Sequence, residues 1–224
     1  MRIVSIDTAG PVVGVAYLDN HTQYEWSQRV NKGADALLIA QLQYIQKIYN
    51  PNLLVLSIGP GAFTSLRVGV SLALGFAMSK NIGVLPMSSL AGRASMFPHE
   101  RCLALLDARK GQVYGQVFDS TSILPISISS SLDTSLCNIL PKESFIAVGE
   151  GAKVYRQDII DAGGQVPLDA DKSPALQLAK MGMESDERPL DPVEVSIQYV
   201  RGPSVTPPQN LGTPVGNPSK LLFD

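Results

Sequence analysis

No stretch of the 224 residues approaches the ~18 consecutive apolar positions that a membrane-spanning helix needs. Charge is scarce: Asp, Glu, Lys and Arg make up 17% of the chain, and 18 Lys and Arg against 20 Asp and Glu leave a formal net charge of −2. No global basic field is available to hold a polyanion by counterion release, so any contact with RNA is expected to be indirect, through a partner. Histidine is limited to His21 and His99, both beside turn-forming residues. No catalytic triad and no metal site are expected from so few ligands, and no residue is assigned a catalytic role. The two cysteines, Cys102 and Cys137, are far apart, lack metal-ligand spacing and adjoin apolar residues, as small buried thiols do.

Hydrophobic residues make up 45% of the chain, ample for a real core. The opening Met1-Arg2-Ile3-Val4-Ser5-Ile6-Asp7 reads as a strand that meets an acidic residue too early for a signal peptide, so the expectation is a soluble, cytoplasmic protein without membrane contact. The spacing predicts a strand over Ile3 to Asp7, a turn at Ala9-Gly10-Pro11, a strand over Val12 to Leu18 and a third over Tyr24 to Val30. From Ala34 to Tyr49 the apolar residues fall at helical spacing, and Asn50-Pro51 ends the helix. Leu53 to Ile58 is a continuous apolar strand, followed by Gly59-Pro60-Gly61 and a helix from Phe63 to about Ser79. Gly83 to Met87 reads as a strand and Ser88 to Met96 as a short helix.

A similar order restarts at Cys102, with strands over Leu103 to Asp107 and Val113 to Phe118 around the turn Arg109-Lys110-Gly111. A strand over Phe145 to Val148, a helix over 152–162 and a last helix opened by Ser173-Pro174 and running to Glu184 follow. The chain therefore reads as α/β with two copies of one unit, the second fainter: residues 1–100, residues 101–202, and an extended tail over 203–224.

Three features could carry chemistry. The segment Ser57 to Arg67 runs from a buried strand through a glycine-rich turn into a helix, whose first amides carry the positive end of its dipole. It is either an anion site, with Gly59 and Gly61 shaping the backbone and Thr64 and Arg67 as donors, or only a tight connection. In the helix that follows, Ser65, Gly69, Ala73 and Ala77 recur every fourth position, a stripe that permits close packing against a second helix, a partner subunit or the sheet of the same unit. Finally, Asp7-Thr8 and Asp107 to Arg109 occupy matching hairpin tips, where a cleft ligand between two units would sit.

These residues resemble the TsaB (YeaZ) family, part of the broad class of actin, sugar kinases and Hsp70 ATPases. The resemblance rests on Ile6-Asp7-Thr8-Ala9, on Gly59-Pro60-Gly61-Ala62-Phe63-Thr64-Ser65-Leu66-Arg67, on Pro86-Met87-Ser88-Ser89-Leu90 and on Leu106-Asp107-Ala108-Arg109-Lys110-Gly111-Gln112-Val113-Tyr114, with Tyr199-Val200-Arg201 as a fainter echo. Two departures stand out: Ala62 and Ser65 replace the family's serine and glycine, and Asn31-Lys32-Gly33 replaces a His-Ser before the first helix.

The resemblance implies two lobes of duplicated ribonuclease-H-like, actin-like ATPase fold, with mixed sheets flanked by helices. It also implies a non-catalytic role beside TsaD, the subunit that transfers threonylcarbamoyl to adenosine in tRNA, in an assembly that includes the TsaE ATPase, or a homodimer when alone. The expected pairing surface is the two-helix face, represented by Leu38, Leu42, Ile45, Ser65, Gly69, Leu72, Ala73 and Phe76. Candidate anion or nucleotide contacts are Asp7, Thr8, Gly59, Gly61, Thr64, Arg67 and Arg109, and ATP or ADP is placed at a complex interface if anywhere. The alternative is an ATP-using enzyme of the sugar-kinase class. Arg109 and Lys110 at the second hairpin tip, where such a kinase would carry a glycine-rich phosphate turn, weigh against it.

Overall fold

The structure, a computed structural model, describes residues 1–30, 34–98, 100–120, 126–127 and 132–200. The expected tail over 203–224 lies outside them, as do Asn31 to Gly33 and His99.

The first sheet is built around β1 (Ile3–Asp7), whose five residues are all buried. It pairs antiparallel with β2 (Val12–Leu18), from Ile3 opposite Leu18 to Asp7 opposite Gly14, and parallel with β4 (Leu53–Ser57). β3 (Gln23–Arg29) lies outside β2 and β5 (Gly83–Met87) outside β4, giving the order β3-β2-β1-β4-β5. Side chains alternate across a strand, so β1 and β4 each serve two layers. Val4, Ile6, Leu54 and Leu56 face α1 (Ala34–Tyr49) and α2 (Phe63–Lys80), packing against Leu38, Leu42, Ile45, Val70, Ala73 and Ala77. Ile3, Leu53 and Val55 face the other way, onto Leu178, Ala179 and Met181 of α6 (Ala175–Glu184).

A run of shorter elements follows the first sheet. α3 (Ser89–Ala94) is capped by Ser88, whose hydroxyl accepts from the amides of Leu90 and Ala91. The long hairpin β6 (Glu100–Arg109) and β7 (Gln112–Ser120) anchors the second sheet. β8 (Ile126–Ser127) and β9 (Leu132–Thr134) pair with β7, and β10 (Ile146–Val148) runs parallel to β6. This repeats β1 to β4 of the first sheet. The counterpart of β5 shrinks to one parallel bridge between Ile146 and Gln165, which is the physical reason the second copy reads faintly. Ala9 and Leu66 of the first half meet Leu90, Ala94, Cys102, Ala104, Leu106, Phe118 and Val148 in one apolar cluster, which joins the two sheets.

Three expectations are adjusted. The single helix expected over 152–162 is two, α4 (Glu150–Val154) and α5 (Arg156–Asp161), broken at Tyr155. α6 has Pro174 rather than Ser173 at its N-cap; the Ser173 hydroxyl accepts from the amide of Ala175. Although α6 lies in the 101–202 stretch, it covers the first sheet, because that sheet's second apolar face needs a lid. Residues 189–199 also return to the first sheet: Leu190 bridges Val84 on the β5 edge, and the Gln198 amide donates to the Ile58 carbonyl at 2.8 Å.

Candidate functional site

The two hairpin tips do converge, and the protein's own side chains fill the space between them. Asp7, at the end of β1, is fully buried and accepts from Arg93 Nη2 at 2.9 Å, while Arg93 Nη1 donates to the Ser89 carbonyl at 2.8 Å. Both partners are shut off from solvent, with side-chain exposures of 4% for Arg93 and 0% for Asp7. Beside them stands Glu150 at the start of α4, whose Oε2 is buried without a hydrogen-bond partner. Burial pushes the Glu150 carboxyl up to about 7, against the opposing pull of Arg93. Farther out, a Cβ on Gly14 would run into Ser173, so the α6 entry closes the cleft along β2. At the second tip Arg109 (φ 65°) turns outward with 86% of its side chain exposed and pairs with Asp107 at 3.4 Å.

An ion-pair network staples the rim. Asp171 joins Arg29 of β3 to Lys153 of α4, the latter at 2.6 Å, and Lys172 meets Glu25 of β3 at 3.3 Å. Burial would raise the Asp171 carboxyl, but the hydrogen bond from Lys153 and the charges of Lys153 and Arg29 outweigh it and hold it below the usual range. Arg93 escaped the sequence reading; Ser173 entered it only as a helix start, and Gly149-Glu150-Gly151 only as a strand-to-helix turn or the remnant of an adenosine-contacting one. The available signals were a lone arginine in the small-residue run Ser89 to Ala94 and a glutamate between Gly149 and Gly151.

The glycine-rich turn is a structural joint. Gly59, at φ 119° in a backbone region that L side chains rarely adopt, lies against the Gln198 carbonyl, and a Cβ on Gly61 would strike Ala9. The Ala62 amide is spent on the Ala9 carbonyl at 2.9 Å. Gly59, Gly61, Asp7 and Thr8 therefore face protein, which corrects their assignment as ligand contacts; Thr8 is buried against Gly69. Thr64 and Arg67 are exposed, and Arg109 points elsewhere, so the seven candidates do not form one site. Arg67 instead stacks over Phe63 at 3.7 Å and donates from Nε to the Tyr199 hydroxyl at 3.0 Å, clasping the returning segment to α2. The guanidinium also lies 5.8 Å from the centre of the Tyr199 ring, and a half-exposed cation–π contact is worth ~1 kcal/mol. Tyr199→Ala should accordingly speed hydrogen exchange of the Gln198 amide about fivefold, as read by mass spectrometry, and leave β1 amides unchanged.

The expected pairing surface divides. Leu38, Leu42, Ile45, Gly69 and Ala73 are buried against the first sheet and offer nothing to a partner; Ser65, Leu72 and Phe76 are half-buried. The small-residue stripe faces inward because Gly69 receives Thr8, whose Cβ would lie 2.7 Å from a Cβ at that position. The outward face carries other residues: Ile39 at 41%, Ile48 at 53% and Met78 at 60% exposure, with Ser71 and an unobstructed Gly75 on α2. Among the described residues no helix is long and apolar enough to cross a membrane, and no group of three or more His, Cys, Asp or Glu could hold a metal ion.

A family model described as "TsaD: tRNA N6-adenosine threonylcarbamoyltransferase" matches residues 38–138, from α1 into the second sheet. The "tRNA threonylcarbamoyladenosine biosynthesis protein TsaB" of Escherichia coli K12 is 31% identical over 126 residues, covering 51% of this chain and 53% of that protein. The Bacillus subtilis 168 protein of the same description is 27% identical over 203 residues, 83% of this chain and 89% of that one. The match thus spans about half the length of the E. coli relative and most of the B. subtilis one. Among solved structures, YeaZ from Pseudomonas aeruginosa superposes with a TM-score of 0.74 at 20% identity, covering 89% of this chain and 100% of that one, a likeness of fold.

Proposed function

We propose that this chain is a member of the TsaB (YeaZ) family and a non-catalytic pairing subunit for threonylcarbamoyladenosine formation in tRNA, docked on a TsaD-type threonylcarbamoyltransferase in the cytoplasm. The observation that carries this reading is the outward face of α1 and α2, where Ile39, Ile48 and Met78 stand exposed beside open Gly75 and half-buried Leu72 and Phe76. Apolar side chains with a gap at Gly75 suit a second helix pair, because small residues let backbones approach and the surrounding side chains then bury together.

The cleft supports the same reading. Its catalytic position is taken by the Asp7–Arg93 ion pair, and a phosphotransferase needs that aspartate free to meet substrate or metal. On this reading any ATP or ADP sits at the junction between subunits, together with the TsaE ATPase, and tRNA is reached through the partner. A homodimer through the same two-helix face is the form proposed for the chain alone.

Size-exclusion chromatography with light scattering, of the chain alone and mixed with the TsaD of the same organism, tests the proposal. A one-to-one species is expected. Ile48→Asp and Met78→Asp, both at exposed positions, should leave folding intact and together weaken pairing by at least about 2 kcal/mol, some thirtyfold, because each buries a charge in an apolar contact. Pairing of unchanged strength in the double variant would move the interface elsewhere. ATP turnover by the chain alone would replace the pairing role with a kinase-like one.

A further inference from the structure

We propose that Glu150 is a proton-operated clasp between the two halves, closed when its carboxyl is protonated and loosened when it ionises. The geometry places this side chain at a point where the β1–β2 turn, α3, β6 and α4 meet. Its Oε2 is buried with no hydrogen-bond partner, beside Gly10: a Cβ built on Gly10 would lie 3.3 Å from that oxygen and 3.2 Å from Arg93 Nη2. The same virtual Cβ would touch Leu106 Cδ2 at 3.5 Å, so apolar wall and charged groups converge on one spot.

The charged groups facing Glu150 are Arg93 from α3, with Asp7 of β1 behind it, and Asp107 and Arg109 from β6. Arg93 cannot satisfy both acids. Its Nη2 is committed to Asp7 Oδ2 and its Nη1 to the Ser89 carbonyl, so an ionised Glu150 has attraction at a distance but no bond from the guanidinium; the hydrogen bond it receives from the Asp107 backbone favours ionisation less than burial opposes it. Arg109 is spent on Asp107 and lies mostly in solvent. Lys153, on the same helix, turns to Asp171. A neutral carboxylic acid costs less in this environment than a carboxylate with one dry, unbonded oxygen, which favours a state in which the Gly10 turn and the start of α4 separate enough to admit water.

The direction follows from linkage. Burial raises the carboxyl from an ordinary value of 4.5 to about 7 in the closed state. The closed state therefore holds a proton that the loosened state releases, and closure weakens as pH rises between these two values, remaining weak above the upper one. One linked proton with this shift changes the opening equilibrium about tenfold between pH 6 and pH 8.

Hydrogen exchange of the intact chain, with rates corrected for the intrinsic pH dependence, reads this directly. Protection at Ala9 and Gly10 and at Gly149 to Ala152 should fall about tenfold from pH 6 to pH 8, while the β2–β3 hairpin stays constant. Glu150→Gln, neutral at every pH, should keep the high protection throughout. Protection that does not change with pH overturns the clasp. So does an equal change in the β2–β3 hairpin, which would make Glu150 a burden on global stability only. Should Glu150→Gln fail to fold, the wild-type carboxyl carbon can be titrated by NMR: a midpoint near 7 supports the clasp, and one near 4.5 overturns it.

Discussion

Arg93→Met is expected to cost the folded chain about 3–5 kcal/mol, because it strands the carboxylate of Asp7 in a fully buried position. The number is large for two reasons. Asp7 has no exposure through which water could replace the lost guanidinium, and Arg93→Met also releases the Ser89 carbonyl at the start of α3. Set against a typical total stability of about 5–15 kcal/mol, the loss could take most of the protein's margin. Asp7→Asn combined with Arg93→Met removes the stranded charge and should recover much of it, since breaking a buried pair is costlier than replacing both members. Urea unfolding of the two single variants and the double variant measures this cycle. A cost under about 1 kcal/mol for Arg93→Met would mean that the pair does not hold the junction.

The second large effect is at Gly69. Alanine ordinarily stabilises a helix interior by about 1 kcal/mol over glycine. Here a Cβ would collide with the Thr8 side chain, whose own Cβ would be 2.7 Å away, and Thr8 is held on the buried β1 end. Overpacking of this kind costs about 1–3 kcal/mol, so Gly69→Ala should be destabilising despite its propensity gain. Thr8→Ala should return part of the loss by removing Oγ1 and Cγ2. Gly75→Ala, six residues along the same helix, is the control: nothing lies within 4 Å of a Cβ there, and thermal unfolding should register a gain of about 1 kcal/mol. The contrast separates core from surface on one helix.

Much of the fold was legible from local pattern. α1 spans Ala34–Tyr49 as its periodicity and the Asn50-Pro51 stop predict, β4 follows from an unbroken apolar run, and the Gly59-Pro60-Gly61 turn marks where strand passes to helix. Helical period, strand alternation and turn chemistry are properties of neighbouring residues, so the chain itself carries them. The convergence of two hairpin tips could also be read, because the same order of elements recurs. The orientation of the small-residue stripe was decided elsewhere. A glycine-rich helix face admits a second helix or a sheet equally well, and only the arrival of Thr8 against Gly69 settles which. Likewise Asp7 reads as an available acid until Arg93, 86 residues away, is seen to occupy it. Sequence determined which elements form and where they end; tertiary structure decided which of their faces are spent internally and which remain exposed, because burial is set by contacts between residues far apart in the chain.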